Sequence, residues 1–285
     1  MNFLERFLHI TKKQNSLLCV GLDPDIHRIP KIVTFDPEPL FKFCAEIITS
    51  TKHAAAAFKL NFAFFEAEGS KGWSVLEKLV ELIPTTTLKI ADAKRGDIGS
   101  SSEMYAAAIL ERLGFDAVTV NPYLGRDSIE PFLHWPEKGA FILCLTSNPG
   151  SKDFQYFSDG SKTLFTKVLE QAKIWNNRQN CGLVVGATHP KELQTLREVA
   201  PNLPFLIPGL GVQGGDLKAA VMHGTDEFGQ MALFNTSRSI IYKSCGSDFA
   251  EAAQREAELL RDKINKIRKS KMSNKYGSRR NFRNF

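Results

Sequence analysis

Eight short apolar runs, each followed by a stretch of helical spacing, constrain this chain more than any other feature. They are Leu17–Leu22, Ala55–Asn61, Leu88–Ala93, Phe115–Val120, Ala140–Leu145, Gly182–Gly186, Pro204–Pro208 and Gln230–Asn235. Runs that are apolar at nearly every position, rather than at alternate ones, suit strands buried on both faces of a parallel sheet. Helices are predicted at 38–53, 73–83, 103–113, 161–178, 190–199, 216–222 and 247–269, with Gly69 and Gly72 interrupting the chain before the second of these. Eight β-then-α units predict an α/β fold of the (β/α)8 TIM barrel type in a single domain. A doubly wound sheet of about six strands would leave two units without a place. With 285 residues, 43% of them hydrophobic and 21 of them Phe, the chain can fill one large core.

The net charge of +6 is unevenly placed. From Arg261 to Phe285 ten Lys or Arg face one acid, Asp262, so that stretch supplies +9 and residues 1–260 carry −3. A mildly acidic body argues against a nucleic-acid-binding barrel. The barrel is therefore placed at 1–270, and 271–285 is read as a basic, disordered tail. No run approaches the ~20 apolar residues of a membrane span, and the start, Met1 to His9, is an amphipathic helix with an early acid rather than a signal peptide. Five scattered cysteines without a Cys-x-x-Cys pair read as reduced structural thiols, and six histidines show no metal-ligand spacing. A cytoplasmic protein without a metal site is expected.

The chemistry concentrates in Leu88–Ser102. A short strand carries Asp92, Lys94 and Asp97 into a turn loosened by Gly96 and Gly99, and Ser100 to Ser102 are placed to cap the next helix. Positions i and i+2 of a strand share a face, so Asp92 and Lys94 project together. Two carboxylates and an ammonium within six residues are costly to desolvate without a purpose, which favours carboxylates that hold and tune a lysine over a surface ion-pair loop.

In such a barrel the site lies at the C-terminal mouth, where Asp23, Lys59, Asp92, Lys94, Asp97, Asn121, Ser147, Gln213 and Arg238 collect. Asp23, Lys59 and the Asp92/Lys94 pair sit on consecutive strands and should be neighbours. Gly209, Gly211, Gln213, Gly214 and Gly215, the N-terminus of the following helix, and Arg238 suggest an anion site where this fold commonly binds phosphate.

Asp92-Ala-Lys94-Arg-Gly-Asp97-Ile-Gly, with Lys59 one strand earlier, resembles the signature of orotidine 5′-phosphate decarboxylases, and in particular their longer bacterial branch. Asn121–Ser128, Thr146–Pro149, Val184–Thr188, Pro208–Gly215 and Ser237-Arg238 resemble that branch too, in order from about residue 17 to 245. The resemblance implies cofactor-free decarboxylation of orotidine 5′-phosphate to uridine 5′-phosphate in de novo pyrimidine synthesis. It implies that Asp23 contacts the ribose or pyrimidine, that Lys59 bonds the ribose and anchors Asp92, and that Asp92 faces the substrate carboxylate. Lys94 would protonate the carbon that loses CO2. Asp97, Ile98 and Ser101 would reach into the other subunit of a homodimer with shared active sites. Ser147 would read the pyrimidine, while Gln213 and Arg238 would hold the phosphate; Asn121 and Gly214 are further substrate-binding candidates. Ser101 stands where the family usually has Thr and keeps the hydroxyl. Ser239 stands where it usually has Gly, and an added side chain there would weaken phosphate binding if the backbone N–H approaches it. The alternative is a magnesium-dependent sugar-phosphate decarboxylase or aldolase on the same barrel, its carboxylates serving as metal ligands. A binding role for the basic tail, on RNA or acidic lipid, is the rival from another class.

Overall fold

The computed structural model describes residues 1–210 and 215–281. Its strands are β1 (Leu18–Leu22), β2 (Ala57–Asn61), β3 (Leu88–Arg95), β4 (Ala117–Val120), β5 (Gly139–Leu145), β6 (Cys181–Val185), β7 (Phe205–Ile207) and β8 (Ala232–Thr236). They close into a parallel barrel in sequence order, β8 pairing back to β1. All eight apolar runs are strands, and β1, β6 and β8 are buried along their whole length. The predicted barrel is the one observed.

The reason for the continuous apolar runs is visible in two separate cores. Outward-facing residues such as Leu18, Val20, Phe58, Leu60, Val118 and Ile142 meet the surrounding helices. Inward-facing Cys19, Ala57, Ile90, Ala117, Phe141, Val184, Leu206 and Leu233 fill the barrel itself. The opening helix, Phe3–Lys13, closes the bottom. It is started by a capping box in which Asn2 accepts from the Glu5 N–H and Glu5 accepts from the Asn2 N–H. Its Phe3 and Phe7 are completely buried, and Phe3 meets Phe141 edge-on at 5.9 Å. Burial of each such ring contributes about 2–3 kcal/mol. Only glycine fits at 139, because a Cβ there would lie 2.5 Å from the Phe3 ring. Arg6 pairs with Asp116 at 3.0 Å and pins the plug to the start of β4.

Three local expectations change. Gly72 does not interrupt: it lies inside the helix Gly69–Leu82, where a Cβ would fall 1.8 Å from the Phe65 carbonyl oxygen. The helix after β3 starts at Gly99, so Ser100 to Ser102 are in its first turn rather than capping it, and the buried Ser102 hydroxyl donates to Ser128 O at 2.9 Å. The last helix, Phe249–Asn281, crosses the boundary placed at 270. Ile264, Ile267, Arg268 and Lys271 share one of its faces, and the Lys271 ammonium donates to Thr225 O at 2.7 Å, which ties the first residue of the expected tail to the barrel.

Candidate active site

The mouth of the barrel holds a cavity of about 480 Å³, inside the range of small-molecule sites. Asp23, Lys59, Asp92, Lys94, Ser147 and Arg238 line it, each from the end of a different strand except the β3 pair. Asp23 is steered there by the β8 side. Tyr242 accepts from the Asp25 N–H at 2.6 Å and donates to Asp23 O at 3.3 Å, while Arg28 lies over its ring. Burial pushes the Tyr242 phenol up to about 12, so it remains a neutral donor. At the β5 end the Gln155 amide accepts from the Thr146 N–H and donates to the Thr146 hydroxyl, both at 2.8 Å, and so fixes the backbone next to Ser147.

The charged centre is an ordered chain. Lys59, on β2, reaches Asp92 Oδ2 at 2.5 Å and lies 3.9 Å from Asp23 Oδ1. Lys94 reaches Asp92 Oδ1 at 2.6 Å. Asp92 is thus held between two ammoniums, of which Lys59 is buried and Lys94 is 53% exposed toward the cavity. Burial pushes the Asp92 carboxyl up, but the attraction and hydrogen bonds of both ammoniums outweigh it and hold the carboxyl well below the usual range. Burial likewise works against the charge on Lys59, and Asp92 and Asp23 outweigh it, so its pKa is raised above that of a free lysine. Beneath them the buried Cys19 thiol is pushed up to about 12, chiefly by desolvation, and stays neutral.

Asp92 and Lys94 meet as expected but for a different reason than strand alternation. The β3–β4 register runs Ala91↔Val118 and then Arg95↔Val120, so four steps on β3 oppose two on β4. Lys94 sits inside this bulge with φ +47, a left-handed conformation uncommon outside glycine. Its N–H donates to Thr119 Oγ1 at 3.0 Å, and that hydroxyl donates to Asp92 Oδ1 at 3.0 Å.

A sequence profile of the orotidine 5′-phosphate decarboxylase / HUMPS family matches residues 16–255. The chain belongs to this family. An orotidine 5′-phosphate decarboxylase from Dehalococcoides mccartyi is 50% identical over 273 residues, 94% of this chain and 99% of the relative. One from Roseiflexus castenholzii is 48% identical over 268 residues, 93% of this chain and 98% of the relative. The solved Leishmania donovani OMP decarboxylase has 38% identity and a TM-score of 0.81, covering 94% of this chain and 99% of that one.

Against the family pattern, the structure gathers Asp23, Lys59, Asp92, Lys94, Ser147 and Arg238 around one cavity and leaves Asp97, Ile98, Ser101 and Asn121 outside its lining. Asp97 Oδ1 accepts from the Ile98 N–H at 2.8 Å, and Ile98 is exposed. Asn121 accepts from the Tyr123 N–H, turning the chain after β4. Gln213 and Gly214 lie outside the described residues. The predicted anion site needs one correction. The helix Leu217–Gly224 is capped by Asp216, whose carboxylate accepts from the Lys218 and Ala219 N–H groups at 2.8 and 3.3 Å. Those two N–H groups therefore face a carboxylate of the chain itself, and among the described residues Arg238 brings a cation to the cavity beyond the end of β8. Ser239 lines the cavity as well. Sequence reading missed Asn61, Thr119 and Asn235, which line the cavity from β2, β4 and β8. Asn61 and Thr119 each stand two residues beyond an inward-facing position, Lys59 and Ala117, and strand period alone could have found them.

Proposed function

We propose that this chain converts orotidine 5′-phosphate to uridine 5′-phosphate and CO2 without a cofactor; its relatives are named orotidine 5′-phosphate decarboxylases. The observation that carries the reading is the Lys59–Asp92–Lys94 array: a depressed carboxylate fixed between ammoniums, with one ammonium facing a nucleotide-sized cavity. Breaking the bond to the departing carboxylate leaves an electron pair on a ring carbon. The Lys94 ammonium stabilises that charge and then donates its proton to the carbon, so the pyrimidine gains the hydrogen that replaces CO2. Lys59 bonds the ribose and fixes Asp92; Asp92 faces the substrate carboxylate; Ser147 reads the base. Arg238 holds the phosphate together with Gln213 and Gly214. The magnesium-dependent alternative finds no support among the relatives, and Asp92 offers its oxygens to two ammoniums and a hydroxyl.

The working unit in this reading is a homodimer in the cytoplasm. Ile98, Met104, Tyr105, Tyr123 and Leu124 are exposed on the β3 and β4 loops and the helix beside Asp97, an apolar surface of the kind a second subunit covers. Asp97, Ile98 and Ser101 then serve the other subunit's cavity. The five cysteines are free thiols, as a reducing compartment keeps them.

The direct test is loss of orotidine 5′-phosphate absorbance with purified protein and excess EDTA; no turnover, or turnover abolished by the chelator, overturns the reading. The shared site has its own test. Lys94→Ala and Asp97→Ala homodimers are each expected to be nearly inactive, and subunit exchange between them should restore about a quarter of wild-type activity, one intact site in each mixed dimer. No recovery, with exchange shown by labelled subunits, places Asp97 in its own chain's site.

A further inference from the structure

We infer that Thr119, on β4, is a positioning residue for Lys94, acting through the shape of the β3 bulge; the inference rests on the decarboxylase reading above. Thr119 is 1% exposed and lies where β4 opposes the bulged residues. The bulge frees the Lys94 N–H from any ladder partner, and the left-handed φ of a non-glycine residue persists only where its surroundings hold it. The Thr119 hydroxyl does so in both senses. As acceptor it takes the Lys94 N–H at 3.0 Å; as donor it gives its one proton to Asp92 Oδ1 at 3.0 Å. The same Oδ1 receives the Lys94 ammonium at 2.6 Å. Lys94 is thereby tied at its backbone and at the tip of its side chain to one small ring of hydrogen bonds, and the hydroxyl's donor direction is fixed because Asp92 can only accept.

Val is the same shape as Thr but can do neither job, and Ser can do both. Without the hydroxyl the Lys94 N–H has no partner and the carboxylate keeps two donors instead of three, so the bulge relaxes and the ammonium moves off the reacting carbon. A displacement of about 1 Å can cost on the order of a hundredfold in rate.

The experiment compares steady-state kinetics and thermal melting of wild type, Thr119→Val and Thr119→Ser, with affinity for uridine 5′-phosphate as a readout free of chemistry. The expected result is a roughly hundredfold fall in kcat for Thr119→Val, with KM and product affinity within about threefold, and Thr119→Ser within about fivefold of wild type throughout. Should Thr119→Val not fold, Thr119→Ala against Thr119→Ser carries the same comparison. A Val variant with lowered melting temperature but wild-type kcat assigns Thr119 a purely structural role and overturns the inference. A rise in KM and loss of product affinity as large as the kcat loss makes it a substrate-binding residue and overturns it too. Wild-type protein inert on orotidine 5′-phosphate overturns the underlying decarboxylase reading instead, a result distinct from either.

Discussion

The floor and the mouth of the barrel are made by the same strands, two residues apart, and they are opposite in chemistry. Ala57, Ile90, Ala117, Phe141 and Leu233 face inward low in the barrel; Lys59, Asp92, Thr119, Leu143 and Asn235 follow them two residues later around the cavity. Below, the interior is closed by Phe3 and Phe7 and contributes to stability by apolar burial. Above, Lys59 and Asp92 are taken out of water and persist because each has an opposite charge within about 4 Å. One inward step along a strand therefore separates residues that fill the barrel floor from residues that line the cavity, and substitutions on either side of that step should separate stability from activity.

The largest effect is expected at the mouth. Lys94→Ala removes a charge worth about 4 kcal/mol at 4 Å with an effective dielectric of 20, together with the proton donor, which general acid catalysis values at about 10²–10⁴-fold. Turnover should fall by roughly 10⁵-fold or more, while the melting temperature stays close to wild type because the side chain is half exposed. A product-like nucleotide should still bind, since the lost group acts on developing charge. Near-normal turnover in this variant would remove Lys94 from the chemistry. Phe141→Ala is the counterpart at the floor. It leaves a void against Phe3 and should destabilise by about 3–5 kcal/mol, with kcat per folded molecule retained. A floor variant that melts normally but loses turnover would break the division between the two ends.

Between these two lies the pH dependence. The Asp92 carboxyl has a lower pKa folded than unfolded, so its stabilisation is fully present above the ordinary carboxylate value of about 4 and is lost as pH falls toward its depressed folded value. Lys59 has the opposite sign: its contribution is present below the ordinary lysine value of about 10.4 and is lost as pH rises toward its raised folded value. Asp92→Asn should flatten the acid limb of a stability–pH curve by up to about 1.4 kcal/mol per pH unit below pH 4. Chemical denaturation at pH 3 and pH 6 measures it, and an unchanged slope would show that Asp92 is not the depressed group.

The division also explains what the sequence made legible. Eight apolar runs sufficed for the strands because burial on both faces leaves a local signature in every one of them, and the helix Pro190–Val199 was placed to the residue. Lys59, Asp92 and Lys94 were legible because three charges at strand ends have few bland explanations. The left-handed turn at Lys94 was not, since it depends on a register shift against β4, a relation between two strands rather than a property of either. The inward face of Thr119 follows from strand period, but its part in the site was hidden for the same reason: its hydroxyl meets Lys94 N and Asp92 only because of the bulge. The opening helix read as amphipathic, but nothing local says that its Phe3 meets Phe141 across the barrel floor. Asp216 is a plain helix-start residue in sequence, and its effect on the anion site follows only from which N–H groups it occupies.

The smallest expected effect concerns Arg238 and sharpens the comparison within the mouth itself. In the proposed reaction Lys94 acts on charge that appears during the chemical step, whereas Arg238 would meet a phosphate that is charged throughout, so its loss should fall mainly on binding. Because Asp216 already occupies the Lys218 and Ala219 N–H groups of the neighbouring helix, those donors cannot replace the missing guanidinium. A charge-assisted hydrogen bond contributes about 1.5–3 kcal/mol, so Arg238→Ala should raise KM for the phosphorylated substrate by roughly 10- to 100-fold, with a smaller fall in kcat as the remote contact no longer helps to close the site. Arg238→Lys should recover part of this, because it restores the charge without the planar fork that grips a phosphate at two oxygens. With orotidine, which lacks the phosphate, Arg238→Ala and wild type should be equally poor. Kinetics of the three proteins on the two substrates decide it: equal damage on both would move the phosphate site away from Arg238 and leave the β8 side of the mouth without its assigned cation.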